Sequence, residues 1–400
     1  MIIEPKILRN VCLTAHPLGC SSQVRDQIDH IKKRDSLEGP KRALIIGSSN
    51  GYGLAARILA AYACGAGTVG VAYERPGTKS KPGSAGWYND IAFREAAKSD
   101  GLGAWSINGD AFSQEIKDQT IARIRDNLGP VDLVVYSIAS PRRMDPKTGI
   151  LHSSVIKPIG QPFVSKAVDF QNGEVSEIRA EPVGSEKEIE DTVKVMGGED
   201  WALWIEALEA AGLLADRVTA LAFSYIGPSF TAPIYRDGTI GQAKKHLEQT
   251  AKILNERLAA RGGRALISVN KALVTRASAV IPAVPLYIAL LYRVMKEKGL
   301  HEVCIEQIDR LFRDYLYSDH PLPLDEEGRV RLDDLEMRPE VQGEVTKLWQ
   351  QVTTENIEHL SDIAGFRDEY LRYHGFGVEG IDYRAEVSPW ASTPRVNESE

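Results

Sequence analysis

Short, nearly uniform apolar runs alternate with stretches of helical periodicity through most of the chain. RALIIG (42–47), TVGVAYE (68–74), GAWSING (103–109), VDLVVYSIAS (131–140), VTALAFSYIG (218–227) and RALISVN (264–270) read as β-strands. Several are apolar at consecutive positions, as parallel strands covered on both faces are. Helical spacing fills the intervals near 52–64, 88–99, 113–127, 200–214 and 240–261. Strand–helix alternation of this kind predicts an α/β fold, a Rossmann-like doubly wound parallel sheet with right-handed crossovers.

Residues 141–199 break the rhythm. Two alternating runs flank Asn172-Gly173 in PFVSKAVDFQNGEVSEIRAEPV, which predicts a β-hairpin inserted beside the ligand-binding edge of the sheet. Beyond residue 280 the pattern turns helical, as in PLYIALLYRVMKEKG and HEVCIEQIDRLFRDYLY, and the tail SPWASTPRVNESE reads as frayed. With no internal repeat or linker, the expectation is one enlarged domain over 1–400: a core at about 40–280, the 141–199 insertion, and a helical extension at 281–390.

Composition narrows the function classes. The apolar fraction of 43% and charged fraction of 26% are those of a globular protein with a large core. A net charge of −7 argues against a general nucleic-acid or anionic-membrane surface. Cys12, Cys20, Cys64 and Cys304 are too scattered for a disulfide framework or a zinc site, so no metal is expected. The opening MIIEPKILRN lacks a signal peptide and no apolar run is long enough to span a bilayer, which predicts a cytoplasmic protein without stable membrane insertion.

The candidate chemistry starts at LIIGSSNGYGLAARILAAYA, a strand, a glycine-rich loop and a helix. Gly47, Gly51 and Gly53 permit a tight turn and close backbone approach to phosphate, with Ser48, Ser49, Asn50 and Tyr52 between them. The helix N-terminus then faces a pyrophosphate. No Gly-Lys-Ser/Thr follows, which disfavours a triphosphate loop. Tyr73 and Glu74 end the next strand, where a carboxylate accepts from an adenosine 2′-hydroxyl and repels a 2′-phosphate, or else is a solvated strand end. Arg75 beside it would soften that repulsion. Asp110 and Ala111 follow the third strand, and Ile138, Ala139 and Ser140 the fourth, at the carboxyl edge where open sheets bind ligands.

A second cluster lies in FSYIGPSFTAPIYRDGTIGQAKKHLEQ. Thr239 and Gln242 form a capping-box pattern, with Thr239 as the N-cap of a helix. On that helix Lys244 falls beside the apolar stripe of Ile240, Ala243, Leu247 and Ala251, whereas Lys245 falls on the polar face. An inward lysine needs a partner, or must snorkel to water. In the functional reading Lys244 binds a ribose and lowers the pKa of Tyr235, which then donates to developing oxygen charge. Tyr225 either lines the same cleft or is a core aromatic.

Together these residues resemble the short-chain dehydrogenase/reductase superfamily, and within it the FabV-type enoyl-acyl-carrier-protein reductases and the related trans-2-enoyl-CoA reductases. The likeness runs along nearly the whole chain, through HPLGC, GSSNGYGLA, KPGSAGWYN, INGDAFS, DLVVYSIASPR, VMGGEDW, PIYRDGTIGQAK, LVTRASAVIPAVPLYIA, QVTTEN and GFGVEGIDY. The eight residues separating Tyr235 from Lys244, where most of the superfamily has three, mark this family. The resemblance implies that Tyr235 is the proton donor, Lys244 the cofactor-binding lysine and Tyr225 a substrate contact. It further implies that Gly47 to Tyr52, Tyr73-Glu74, Asp110-Ala111, Ile138-Ala139 and Leu273-Val274-Thr275 line NADH. The family often has Gln where Arg276 stands, and a more apolar run where YLRYHGFG stands.

The implied reaction is NADH-dependent reduction of the carbon–carbon double bond of a trans-2-enoyl thioester, carried on acyl carrier protein or CoA, in fatty acid biosynthesis, by a monomer. A ketoreductase of the same superfamily and a non-catalytic NADH-binding sensor are the rival readings. The first needs a serine assisting the tyrosine where this chain offers Tyr225, and the second has no use for an inward lysine beside a phenol. AVIPAVPLYIALLY offers side chains for an acyl slot, or a plain core helix, and Arg142, Arg143 and Lys147 a basic surface for an acidic carrier.

Overall fold

The computed structural model describes residues 1–8 and 10–390. In chain order, a two-stranded ribbon (β1, Ile7–Leu8; β2, Val11–Cys12) leads into helix α1 (Pro17–Lys32). Strand β3 (Arg42–Ile46), α2 (Gly51–Tyr62), β4 (Gly67–Ala72), α3 (Ala85–Ser99), β5 (Ala104–Asn108), α4 (Gln114–Asn127) and β6 (Val131–Tyr136) follow. The 141–199 segment holds β7 (Arg142–Met144), β8 (Leu151–Ser153), β9 (Phe163–Asp169), β10 (Glu174–Ala180) and α5 (Glu186–Met196). The chain then re-enters the sheet layers through α6 (Glu199–Ala210), β11 (Leu214–Ser224), α7 (Thr239–Leu258) and β12 (Arg264–Val269). Last come α8 (Val284–Glu297), α9 (Cys304–Arg310) with a π-helical continuation to Leu316, β13 (Arg329–Arg331), α10 (Pro339–Gln351), α11 (Ile357–Leu360) and α12 (Ile363–Tyr373).

Seven parallel strands form one sheet in the order β13-β12-β11-β6-β3-β4-β5. Strand order reverses between β3 and β6, so their carboxyl ends open the crevice in which doubly wound sheets hold ligands. The uniform apolar runs are explained by the two layers. Ala43, Ile45, Leu133 and Val135 pack against α1, α2 and α9, while Leu44, Ile46, Val134 and Tyr136 pack against α4, α6 and α7. The doubly wound sheet is as the apolar pattern predicts.

The hairpin β9–β10 pairs antiparallel with Asp169 opposite Glu174, centred on Asn172-Gly173 as expected. Helix 200–214 ends earlier than predicted, at Ala210, because Leu214 already pairs with Val131 of β6. The C-terminal helices gather around α8, whose residues from Leu286 to Tyr292 are fully buried; most of that run is core helix. Pro389 of the tail is docked, with Tyr88 donating to its carbonyl. The rest of the expected frayed tail, 391–400, lies outside the described residues. Among the described residues no helix is long and apolar enough to cross a membrane.

Candidate functional site

At the end of β3 the chain turns so tightly that only glycine serves. Gly47 has φ +90°, and a Cβ there would meet the Ser137 carbonyl oxygen at 2.1 Å. The Gly47 and Ser48 N–H groups donate to Val71 O, which ties the loop to β4. Helix α2 begins at Gly51 with Asn50 as N-cap and no side-chain cap bond, so its first N–H groups and dipole end face the crevice. Thr275 approaches from the opposite side, its Cγ2 within 3.8 Å of where a Gly51 Cβ would stand.

Glu74 is not a solvated strand end. It is only 9% exposed, and its carboxylate accepts from Ser49 Oγ at 2.7 Å and Asn50 Nδ2 at 3.2 Å. Asn108 holds the Glu74 backbone from both sides, accepting its N–H at 2.8 Å and donating to its carbonyl at 3.0 Å. Gly86, at the start of α3, leaves the room this carboxylate occupies, since a Cβ there would meet Glu74 Oε1 at 2.2 Å. Tyr73 is 76% exposed beside it. The Arg75 guanidinium donates to Leu13 O and Pro82 O.

Sequence reasoning did not find what holds the neighbouring loop. Lys117 Nζ, fully buried, donates to Ala111 O, Phe112 O and Asp200 Oδ1, and Tyr136 donates to Asp200 Oδ2. Asp110 Oδ1 accepts the Phe112 N–H at 3.0 Å. Burial pulls Lys117 down and pushes Asp200 up, the expected direction for a charge pair taken out of water. On the far side, Ser278 Oγ donates to Leu273 O and Tyr292 accepts the Val274 N–H, which fixes the loop Leu273-Val274-Thr275. Ile138 and Ala139 follow β6, Ile138 N near the Gly47 turn and Ala139 exposed. Arg276, exposed, lends its positive charge to Tyr373 and His374 of YLRYHGFG, so the two departures from the family pattern are neighbours.

Tyr225, just past β11, and Tyr235 meet edge to face, ring centroids 5.0 Å apart at 79°. Tyr235 is buried, and among the described residues its hydroxyl has no hydrogen-bond partner; burial alone pushes its pKa up. Lys244 is half-buried and its Nζ reaches Phe223 O at 3.5 Å, with no salt bridge among the described residues. Burial pushes its pKa down to about 8, against a smaller opposing pull from Glu248. Lys245 is exposed, as the helical wheel requires.

Three expectations need correction. Lys244 does not lower the pKa of Tyr235 here: its amine sits on the Phe223 carbonyl, and desolvation is what acts on the phenol. Thr239 is the first residue of α7 rather than its cap; Gly238 is the N-cap, and Thr239 Oγ1 instead donates to Val155 O and accepts from Lys157 N–H. That swap ties the inserted segment to the helix carrying Lys244. Arg143 cannot serve a basic surface, being 1% exposed and paired with Glu199 at 2.6 Å.

The glycine turn, the uncapped helix end, the buried carboxylate and an amine held only by a carbonyl fit a dinucleotide. Three family models match almost the whole chain: the NAD(P)H binding domain of trans-2-enoyl-CoA reductase at 2–79, the trans-2-enoyl-CoA reductase catalytic region at 81–317, and an enoyl reductase FAD binding domain at 324–387. A curated enoyl-acyl-carrier-protein reductase (NADH) of Flavobacterium johnsoniae is 53% identical over 97% of this chain and 98% of its own length. A trans-2-enoyl-CoA reductase (NADH) of Ruminiclostridium cellulolyticum is 54% identical over 97% and 98%. The crystal structure of Treponema denticola trans-2-enoyl-CoA reductase with NAD superposes with a TM-score of 0.94 at 53% identity, covering 97% of this chain and 98% of that one. The Clostridium acetobutulicum enzyme with NADH gives 0.95 at 47%, covering 98% and 100%.

The flavin in the third description does not fit the residues it covers. Val341, Val345, Ile363, Phe366 and Tyr370 are buried in the cluster that surrounds α8. The one strand there, β13, runs into Leu332 and Asp333 rather than a glycine turn opening a helix.

Proposed function

This chain belongs to the family of trans-2-enoyl-CoA and enoyl-acyl-carrier-protein reductases, and from that membership we propose that it reduces the carbon–carbon double bond of trans-2-enoyl thioesters with NADH. When bound, NADH supplies the hydride that the β-carbon of the substrate accepts. The chain's own residues do the rest. The loop from Gly47 to Gly53 and the N-terminus of α2 hold the pyrophosphate. Glu74 accepts from the adenosine ribose and repels a 2′-phosphate, while the neighbouring Arg75 guanidinium is held by Leu13 O and Pro82 O. Asp110 and Ala111 flank the adenine, Ile138, Ala139 and Leu273-Val274-Thr275 the nicotinamide end, and Lys244 grips its ribose.

As hydride reaches the β-carbon, negative charge gathers on the thioester oxygen. Tyr235 answers it: its phenol keeps its proton because burial disfavours the phenolate, and no internal bond competes for that proton. Tyr225 orients the carbonyl from the facing ring. The observation that carries this reading is an uncommitted phenol, Tyr235, packed on Tyr225 just past β11, with the Lys244 ammonium held only by the Phe223 carbonyl near the carboxyl end of that same strand. An apolar cavity of about 310 Å³ between the β9–β10 hairpin and residues 279–285 supports an acyl chain as cargo.

The carrier is acyl carrier protein or CoA, met at the exposed Arg142 and Lys147, and the enzyme works as a cytoplasmic monomer in fatty acid biosynthesis. NADH oxidation with crotonyl-CoA tests the reading, and acetoacetyl-CoA tests the ketoreductase. Absence of turnover with any enoyl thioester, on CoA or on carrier protein, rejects it.

A further inference from the structure

Behind Tyr225 lies a fully buried carboxyl group that the reaction as described does not use. Glu336 sits between β13 and α10, 111 residues away in sequence. Its Oε1 is met by two phenols, Tyr225 at 3.1 Å and Tyr287 of α8 at 2.6 Å. Its Oε2 accepts the N–H of Ala272 at 2.7 Å, the residue immediately before the Leu273-Val274-Thr275 loop. Gln342 braces the arrangement, its Nε2 donating to the Tyr287 hydroxyl at 3.0 Å and the Glu336 carbonyl at 2.8 Å. One side chain of the C-terminal extension therefore touches both the substrate tyrosine and the cofactor loop.

Proton counting decides what it does there. Tyr287 accepts from Gln342, so its own proton is aimed at Oε1. If Glu336 were ionised, Tyr225 would also aim its proton inward and would show the cleft lone pairs only. Such a hydroxyl repels a thioester oxygen gaining negative charge. If Glu336 carries a proton on Oε1, it donates to Tyr225, whose hydroxyl hydrogen is released toward the cleft. Glu336 makes no ion pair among the described residues: Lys271, the nearest opposite charge, gives its amine to Ala272 O and His301 Nδ1. Burial is the largest influence and holds the carboxyl above its ordinary range, toward the neutral form; Lys271 favours the ionised form and Asp333, more weakly, opposes it.

We propose that Glu336 is a positioning residue that works as a neutral carboxylic acid, donating to Tyr225 and so turning that tyrosine's proton toward the substrate carbonyl. The inference rests on the enoyl-thioester reading and adds the element that sets the polarity of Tyr225.

Glu336→Gln and Glu336→Met separate the possibilities. An amide keeps two of the neutral acid's bonds, its NH₂ donating to Tyr225 and its oxygen accepting from Ala272, while Tyr287 must turn its proton away because an amide nitrogen cannot accept. A thioether of similar length makes none of these bonds. The expected result with crotonyl-CoA is kcat within about threefold of wild type for Gln, at unchanged KM for NADH, and a loss of about 10²-fold in kcat for Met. Equal, large losses in both folded variants overturn the proposal, because they require the carboxylate. Full kcat in Met with a lowered melting temperature also overturns it, because Glu336 is then scaffolding alone. Wild-type turnover in the same assay tests the underlying reading separately. A second measurement needs no folded variant at 336: the wild-type infrared spectrum should hold a protonated-carboxyl stretch that shifts in D₂O and moves in Tyr225→Phe. Its absence sinks the idea.

Discussion

Replacing Tyr235 by Phe isolates chemistry from stability to an extent few active-site substitutions allow. The hydroxyl has no hydrogen-bond partner among the described residues, so its removal strands no donor or acceptor. The ring keeps its edge-to-face contact with Tyr225 at 5.0 Å, and no cavity opens. The change in folding free energy should therefore stay within about 0.5 kcal/mol. Catalysis should not be spared. A hydrogen-bond donor aimed at developing oxyanion charge is worth about 10²–10³ in kcat, roughly 2.7–4 kcal/mol. The expected outcome is a kcat for crotonyl-CoA lowered by about that factor, a KM for NADH within about threefold, and an unchanged urea midpoint. Tyr287→Phe is the matched control. It removes a phenol that donates to buried Glu336 and accepts from Gln342, and should cost about 1–3 kcal/mol of stability. A Tyr235→Phe enzyme that keeps more than about a third of wild-type kcat would refute the assignment. So would a loss of activity that merely tracks a loss of folded protein.

Lys244, with its amine pushed down to about 8, should give kcat/KM for NADH that falls as pH rises through that value and the ammonium is lost. Lys244→Arg should abolish that limb, and its persistence there would assign it to another group. The stability sign is opposite: the cost of burying this charge is fully present below about 8 and is relieved as pH climbs toward the ordinary lysine value. Glu74→Ala should shift the NADH-to-NADPH ratio of kcat/KM about tenfold toward NADPH, a difference of about 1.4 kcal/mol; an unmoved ratio places the 2′-position elsewhere. Asp200→Ala strands the Lys117 ammonium in the core and should destabilise by about 3–5 kcal/mol in urea denaturation, with nucleotide affinity failing alongside because Lys117 holds the Ala111–Phe112 carbonyls.

Much of this molecule is written in local pattern. Strand β3, the glycine turn, helix α2, the hairpin around Asn172-Gly173 and the inward placement of Lys244 follow from side-chain periodicity and backbone sterics, which act within a few residues. Even the order of the candidate ligand positions along the sheet edge follows, because open α/β sheets bind ligands at the carboxyl ends of their strands. Other features depend on residues far apart in the chain. The seventh strand, Arg329–Arg331, is three residues with arginine at both ends, and only pairing with β12 makes it a strand. Thr239 caps nothing because Val155, from the insertion, takes its hydroxyl. Lys117 and Asp200 look like surface charges until α4 and α6 pack against each other, and no spacing rule links Glu336 to Tyr225. Periodicity tells a side chain which way to face; which partner it meets there is settled by the packing of distant segments, and in a desolvated interior that partner decides where the proton sits.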